Sequence, residues 1–331
     1  MTLLRFRSRR AALHALAASA GLAALTRSGS AQAYPSRPIR IVCPLPPGSP
    51  SDVLARVVAE RVQTAWGQPV MVENRPGATG AIGLDAVAKA APDGYTVGIA
   101  FMSHAILPSL FPKLPYDTER DLAPIANLVW LYNVLVVPPS GQAASLPDLV
   151  RYAKANPGRL NYGSGGNGSP AHLIAEFFRQ QAGLQMVHVP FKGPVDAVQN
   201  LMAGQIDLMF ATTSTAVPQV KAGRLKPLVV TSPERLGALP DVPTMKEAGI
   251  VGFDVKEWQG LVAPAGTPRD IISRWNAELQ RAMASPQVQE RLGGLGMSVA
   301  APNAPHEFQA LIQGELARWS RLARELGLRV D

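Results

Sequence analysis

The sequence has little of what covalent or metal chemistry requires. Cys43 is the only cysteine in 331 residues, so no disulfide can form within the chain, and its place in the apolar run Ile41-Val42-Cys43 favours a packing role. Four histidines follow the first 33 residues (His104, His172, His188 and His306), and none stands at the paired spacing typical of metal ligands. The sequence therefore gives no indication of a metal site.

The sequence also lacks a cluster of basic residues. The formal net charge is +8, but five arginines and no acidic residue lie within the first 33 residues, which leaves 27 basic residues against 24 acidic ones in the remainder. The net charge of the whole chain is therefore poor evidence for binding to a row of phosphates, and we predict no nucleic-acid partner. The modest positive balance that is left favours small anions.

Residues 1–33 have the pattern of an export signal. Four arginines at positions 5, 7, 9 and 10 precede an Ala/Leu/Gly run over residues 11–25, and Ala31-Gln32-Ala33 has the small-x-small pattern of a cleavage site. The apolar run is shorter than the roughly 20 residues of a membrane span, which favours export, with cleavage after Ala33, over the alternative of a membrane anchor. Ser8-Arg9-Arg10 resembles a twin-arginine signal, and Sec export is the alternative route.

Short β-branched runs alternate with helical patterns, without a fixed-period repeat or a low-complexity tract. The pattern predicts strands at residues 39–42, 70–73 and 96–100 around helices at 51–66 and 81–91, and the same alternation returns with strands at 160–162, 186–189, 207–211 and 228–231 around helices at 170–182 and 194–203. We therefore predict an α/β fold with two open sheets.

Two apolar extended segments, residues 133–137 and 258–263, lie between the halves and are predicted to be crossover strands. If the chain leaves the first lobe at one and returns at the other, helices predicted at 268–284 and 305–326 rejoin the first lobe. The lobes are then residues 34–135 with 256–331, and residues 136–255, with a ligand cleft between them and a hinge at the crossovers. Two consecutive domains are the alternative.

Three strand-to-helix loops enter their helices in the same way, with a plausible cap residue followed by proline. They are Gly48-Ser49-Pro50-Ser51-Asp52, Gly168-Ser169-Pro170 and Lys192-Gly193-Pro194. A helix start offers unpaired N–H groups and about half a positive charge, so it holds a carboxylate without a formal cation. Because ligands bind at the carboxyl ends of strands in open α/β sheets, three such starts favour an anion site over ordinary well-capped helices.

The glycine-rich loop at residues 163–168 spells GxGxxG after a strand and before a helix. The next strand lacks the acid that holds a ribose in dinucleotide sites, so we predict no nicotinamide cofactor and interpret the glycines as permitting close backbone approach. No GxSxG motif surrounds Ser164 or Ser169, although an exported α/β hydrolase using Ser164 and His172 is the catalytic alternative. His188 fits a core position better than a catalytic one, whereas His104 and His172 follow loops and are better pocket candidates.

An ordered series of motifs spans nearly all of the chain after residue 33 and resembles the Bug family of periplasmic solute-binding proteins from tripartite tricarboxylate transporters. The matching stretches are Tyr34-Pro-Ser-Arg-Pro-Ile, Pro44-Leu-Pro-Pro-Gly48 with Asp52, Val72-Glu-Asn-Arg-Pro-Gly77, Ala91-Pro-Asp-Gly-Tyr95, Lys113-Leu-Pro-Tyr-Asp117, Ala155-Asn-Pro-Gly158, Asn161-Tyr-Gly-Ser164 with Gly166-Asn-Gly-Ser169, His188-Val-Pro-Phe-Lys-Gly193, Leu239-Pro-Asp-Val-Pro-Thr244 and Ala263-Pro-Ala-Gly-Thr-Pro268.

The resemblance implies a two-lobed Venus-flytrap fold of the type II periplasmic binding class. It implies a periplasmic monomer that closes over a small organic anion, such as a di- or tricarboxylate or an aromatic carboxylate, and serves a membrane permease or a sensor kinase. It implies neither catalysis nor a metal or other cofactor.

By position, the resemblance also implies the ligand-binding residues. In the first lobe they are Pro47, Gly48, Ser49, Ser51 and Asp52 in the first loop and Met102, Ser103 and His104 after the third strand; in the second lobe they are Ser164, Gly165, Asn167, Gly168, Ser169 and His172, followed by Phe191, Lys192 and Gly193.

Two departures from the family pattern bear on specificity. Ser49-Pro50 replaces the usual Gly-Gly, which stiffens the first loop and removes one backbone donor. Ala211, followed by Thr212, stands where many relatives carry an aspartate. An amino-acid ligand is therefore disfavoured, since its ammonium group would lose an ionic partner in a buried cleft.

Overall fold

Every predicted strand and helix is present, and the described part of the chain adds four helices and two strands that the sequence pattern did not predict. A computed structural model describes residues 34–326 apart from residues 112, 142 and 254; the export signal predicted for residues 1–33 lies outside them. The strands are β1 (Ile39–Cys43), β2 (Val70–Asn74), β3 (Thr96–Phe101), β4 (Leu122–Leu131), β5 (Asn133–Val137), β6 (Asn161–Ser164), β7 (Val187–Pro190), β8 (Met209–Thr212), β9 (Lys226–Val230), β10 (Glu257–Pro264) and β11 (Met297–Val299).

The helices follow the strands in βα units through most of the chain. They are α1 (Pro50–Trp66), α2 (Ala81–Ala88), α3 (Ser103–Leu110), α4 (Leu146–Ala155), α5 (Pro170–Ala182), α6 (Pro194–Met202), α7 (Thr213–Lys221), α8 (Arg269–Ala284), α9 (Pro286–Gly293) and α10 (Pro305–Leu326), and a short 3₁₀ turn covers Ala78–Gly80.

The larger sheet has six strands in the order β11-β4-β10-β3-β1-β2. β1 pairs in parallel with β2 and β3, whereas β10 runs antiparallel between β3 and β4. β1 is covered on both faces and therefore reads as an almost continuous apolar run. Cys43, at its end, is completely buried, and burial raises the pKa of its thiol to about 12, which agrees with the predicted packing role.

The smaller layer consists of the antiparallel sheet β8-β5-β9 and the parallel pair β6-β7. An isolated bridge between Tyr162 and Leu208, with a hydrogen bond from Gly163 N–H to the Leu208 carbonyl, joins the two. β5 runs antiparallel to both of its neighbours, which the sequence pattern did not reveal.

The larger sheet and the smaller layer give the α/β protein its two lobes. β4 belongs to the larger sheet and β5 to the smaller one, with Tyr132 alone between them, and β10 brings the chain back to the middle of the larger sheet. The sequence pattern predicted two crossover strands along this path. The division of the lobes at residues 135/136 and 255/256 stays a prediction. Within the described part of the chain, no helix is both long enough and apolar enough to span a membrane.

Candidate functional site: a closed cleft between the lobes

The start of α1 is built by the Ser49-Pro50 sequence. Ser49 is the N-cap, its hydroxyl accepts a hydrogen bond from the Asp52 N–H at 3.3 Å, and Pro50 occupies the first turn, where no N–H is required. The carboxylate of Asp52 reaches back to the N–H of Gly48 at 3.0 Å, one residue earlier than in a standard capping box. The loop is thus rigid at the point where α1 begins.

Asp52 serves this loop through more than one contact. Its Oδ1 accepts a hydrogen bond from Asn74 Nδ2 at 2.9 Å, and its Oδ2 lies 3.0 Å from Arg56 Nε. Burial raises the pKa of Asp52, but hydrogen bonds from Arg56, Gly48 and Asn74 outweigh it and hold the pKa below its usual range. The carboxylate, predicted to belong to the ligand site, is engaged in fixing the loop around β1, β2 and α1.

We expect Asp52→Ala to lower the free energy of unfolding by about 2 kcal/mol, because several hydrogen bonds to a buried carboxylate are lost together. Since the pKa of Asp52 is lowered in the folded state, its contribution is present above about pH 3.9 and is lost as the pH falls through the folded value. Urea unfolding at pH 7 and pH 3 measures both effects. Glu60→Gln, which removes an exposed ion pair with Arg291, is the control and is expected to change stability little. Equal stability of Asp52→Ala and Glu60→Gln at pH 7 would contradict this role.

The starts of α5 and α6 repeat the proline entry without the side-chain cap. Ser169 precedes Pro170, but its hydroxyl makes no cap hydrogen bond; instead the N–H of Gly168 donates to His172 Nδ1 at 3.1 Å. Gly193 precedes Pro194 at the start of α6. A Cβ on Gly165 would lie 3.0 Å from Pro194 N, so the glycine-rich loop packs directly on the start of α6.

A narrow cavity lies where the three helix starts converge between the lobes. Its lining is shared between the two sides: Leu45, Pro50, Thr79, Phe101, Glu257 and Gln259 from the larger sheet, and Gly165, Ser169, Pro170, Ala171, Pro194, Met209 and Thr212 from the smaller layer. No lysine or arginine is present among these lining residues. An anion in this cavity would therefore depend on helix N-termini and neutral donors.

The lobes are in contact across this cavity. The hydroxyl of Thr79 donates a hydrogen bond to the Asn167 carbonyl at 2.7 Å, and Gly168 (φ +76°) lies so close to Leu110 Cδ1 that a Cβ would clash. Thr79, with φ +52°, has a left-handed conformation that is unfavourable for a β-branched residue and typical of constrained functional loops. The cavity volume is about 30 Å³, which is room for about two water molecules, so the structure has the closed geometry of the cleft.

Two lining side chains carry buried polar atoms without a partner. Ser169 Oγ and Gln259 Oε1 make no hydrogen bond with any described residue, and Gln259 is only 1 % exposed. Buried polar groups in folded proteins are nearly always satisfied, so such atoms require an explanation. In the wall of the cavity they are available to a molecule bound there, the hydroxyl as a donor or an acceptor and the amide oxygen as an acceptor.

Glu257 places a carboxyl group in the same wall. It is 2 % exposed, and its Oε1 accepts hydrogen bonds from Asn133 Nδ2 at 2.5 Å and from Thr212 Oγ1 at 3.3 Å. Burial raises the pKa of Glu257 to about 7, against the lowering effect of these two hydrogen bonds. The residue therefore titrates near neutral pH. It lies at the first position of β10, where that strand meets both β5 and β8.

The histidines do not form the pair that the catalytic alternative requires. Ser164 Oγ lies 2.6 Å from His188 Nε2, whereas His172 accepts from the N–H of Gly168 and stacks on His188 with ring centroids 4.1 Å apart. Burial, with a smaller effect of His172, lowers the pKa of His188 to about 3, and burial also lowers that of His172. Both rings are neutral at physiological pH, and the hydrolase alternative finds no support.

The other predicted residues lie at different depths around the cavity. Gly165, Ser169 and Thr212 line it, while Pro47, Ser49, Lys192 and Gly193 line a groove at its mouth. The remaining ones line neither the cavity nor this groove: Gly48, Ser51, Asp52, Met102, Ser103, His104, Ser164, Asn167, Gly168, His172, Phe191 and Ala211.

His104 and Ala211 are both fully buried. His104 Nδ1 accepts a hydrogen bond from the N–H of Phe101, whose ring lies between His104 and the cavity, and burial lowers the pKa of His104 to about 3. Ala211 belongs to the apolar core of the smaller layer, opposite Val134, and it is the next residue, Thr212, that reaches the cavity.

Sequence reasoning did not identify Thr79, Glu257 or Gln259 as site residues. Thr79 belongs to the Gly77-Ala78-Thr79-Gly80 loop, and its glycines were a signal of unusual backbone geometry. Glu257 and Gln259 are polar residues in an otherwise apolar crossover strand, and their alternation was the available signal.

Two α/β lobes that enclose a small cavity between them define a two-lobed periplasmic binding protein fold. A family model described as "Tripartite tricarboxylate transporter family receptor" matches residues 54–328, and the chain belongs to this family, as its resemblance to the Bug proteins predicted. Protein BugT of Bordetella pertussis is 36% identical over 315 residues, which are 95% of each chain.

Solved structures agree with this assignment. Periplasmic binding protein BugD has a TM-score of 0.85 and 32% identity, over 90% of this chain and 100% of its own. R. palustris Rpa4515 with adipate has a TM-score of 0.86 and 31% identity, over the same shares. MatC from Rhodopseudomonas palustris with bound malate has a TM-score of 0.82 and 34% identity, over 87% of this chain and 99% of its own.

Proposed function

We propose that this chain is an exported, monomeric binding protein that captures a small organic carboxylate in the interlobe cavity and delivers it to a membrane permease or a sensor. The proposal is carried by the convergence of three helix starts on one cavity, where the hydroxyl of Ser169 is also left without a partner among the described residues. The acids named with two structural relatives, adipate and malate, support the carboxylate class. In this proposal the signal is cleaved after Ala33, and the protein binds its solute without converting it.

Mass spectrometry of the solute released from freshly purified protein tests this function directly. We expect a di- or tricarboxylate or an aromatic carboxylate. A thermal-shift series with adipate, malate, citrate and benzoate should then give saturable stabilisation, with each acid recovered unchanged. Release of a non-acidic solute, or a product formed from any of the four acids, would contradict the proposal.

The hinge is proposed at the crossovers around Val136 and Leu261, where a few residues at strand ends can absorb the motion. Since the cavity in this geometry has room for about two water molecules, a dicarboxylate requires the lobes to lie farther apart than here, both when it enters and while it is bound. We expect the radius of gyration from small-angle scattering to fall when a bound acid saturates the protein. An unchanged radius at saturation would contradict hinge closure.

Lys192 is exposed at the mouth of the cavity and is the nearest cation among the predicted site residues. Because an exposed charge interacts weakly with a partner in high dielectric, we expect Lys192→Ala to weaken carboxylate binding by at most about tenfold. Calorimetric titration measures the change, with Lys221→Ala on the far end of α7 as the control. Loss of binding with the fold intact would identify Lys192 as the main anchor instead.

A further inference from the structure

Glu257 presents a conflict of charge within the proposed site. An organic anion would share a small cavity with a buried carboxyl group, and no lysine or arginine is found among the residues that line it. Two carboxylates in one such site repel each other, so one of them takes up a proton. The structure indicates which oxygen of Glu257 would carry that proton.

Oε1 of Glu257 already accepts hydrogen bonds from Asn133 and Thr212, and both donors are themselves buried. Oε2 makes no hydrogen bond within the described part of the chain. A protonated carboxyl group therefore keeps Oε1 as the acceptor and carries its hydrogen on Oε2, which is the oxygen available to the cavity.

We propose that Glu257 is a ligand-binding residue that donates a hydrogen bond from protonated Oε2 to a carboxylate oxygen of the solute, so that the anion and one proton are bound together. This inference rests on the proposed carboxylate-binding function. When Glu257 is ionised beforehand, the proton comes from solvent; when it is already neutral, the anion binds without proton uptake.

The described residues around Glu257 offer no counterion to its ionised form. Strands β3, β4, β5 and β8, which pack around the start of β10, contain no titratable side chain. Of the charged groups beyond them, the Lys256 ammonium lies over the Trp130 ring at 4.1 Å, and Asp85 on α2 is paired with Lys89 at 2.6 Å. His104 lies behind Phe101 and is neutral.

Because anion binding is coupled to the protonation of Glu257, the direction in which affinity changes with pH can be predicted. Burial places the pKa of Glu257 at about 7 in this closed geometry, and a bound anion would raise it further. Affinity for a carboxylate should therefore be nearly constant below pH 7 and fall by up to about tenfold for each pH unit above it. A solute whose ammonium group pairs with ionised Glu257 would show the opposite dependence, with affinity rising as the pH rises.

The test is calorimetric titration of adipate, malate, citrate and benzoate at pH 6, 7 and 8, in buffers that differ in their heat of ionisation. We expect the unmodified protein to take up close to one proton per bound acid at pH 8 and much less at pH 6. Glu257→Gln, which keeps an N–H donor toward the solute and cannot ionise, should bind with little dependence on pH and without proton uptake at this site. Glu278→Gln, which changes a buried carboxylate paired with Arg281 on α8, should behave as the unmodified protein does.

The outcomes separate this inference from the proposed function. Tight binding of an acid by the unmodified protein at pH 8 without proton uptake overturns the role of Glu257 and leaves the binding function intact, and this measurement needs no variant. Affinity that rises with pH also overturns it. If none of the acids binds and the released solute is not an acid, both proposals fail.

Discussion

Gln259→Leu is expected to weaken carboxylate binding and to change the stability of the ligand-free protein little. The Oε1 of Gln259 has no partner among the described residues in this closed geometry, but it reaches water when the lobes separate, so the cost of about 1–3 kcal/mol for an unsatisfied buried polar atom applies to the closed geometry alone. A carboxylate can only accept, so Gln259 bonds to it through Nε2 once its amide is turned, and loss of that hydrogen bond should reduce affinity by about 10–100-fold. Urea unfolding and calorimetric titration measure the two changes.

Gln219→Leu provides a matched control for this experiment. Its Oε1 is also buried without a partner in the described part of the chain, but Gln219 lies on α7 and does not line the cavity. We expect this variant to leave affinity unchanged. If both variants leave affinity unchanged, Gln259 has no role in ligand binding, whatever its effect on stability.

The fold could be predicted where local signals are strong. α5 and α10 have the predicted bounds, and α1 begins one residue before its prediction, because proline entries mark the start of all three and glycine marks the end of α1 and α5. α3 and α7 were missed, since each contains an internal proline that argues against a helix. β4 was also missed: it includes Pro124 and lies centrally, and its pairing with β10 accommodates this through shifts of register.

The site could be predicted only in part, because its components depend on contacts of different range. The convergence of three helix starts follows from a rule about the carboxyl ends of strands, and the loops at Ser49, Ser169 and Gly193 do meet at one cavity or its mouth. Whether a polar residue of a crossover strand faces the cavity depends instead on how the start of β10, which pairs within the larger sheet, lies against β5 and β8 of the smaller layer. That is set by pairing across more than 100 residues of sequence, as in the hydrogen bond between Asn133 and Glu257.

Position 211 also shows that the sequence of a single strand does not determine which side chains reach the cavity. The absence of an acid at Ala211 suggested a cavity that disfavours amino acids, but the structure supplies an acid from a different strand, Glu257, beside Thr212. The lack of an aspartate at one position therefore does not make the cavity free of carboxyl groups. In the proposed site, selection between acids and amino acids would depend on the protonation of Glu257 rather than on position 211.

Ala211→Asp is expected to destabilise the protein by about 4 kcal/mol, because it buries a carboxyl group without a partner. Ala211 is completely buried in an apolar core that includes Val134, Met209 and Val230. Burial would raise the pKa of the new carboxyl group above its unfolded value, so the variant should lose still more stability between pH 5 and pH 8 as the group is forced to ionise.

Urea unfolding of this variant at pH 5 and pH 8 measures the effect. Ala310→Asp, at an exposed position of α10, is the control and should cost less than about 1 kcal/mol at either pH. Calorimetric titration with aspartate and glutamate completes the experiment. A stable Ala211→Asp protein that binds either amino acid would show that position 211 faces the solute after all, and that the core of the smaller layer opens toward the cavity when the lobes separate.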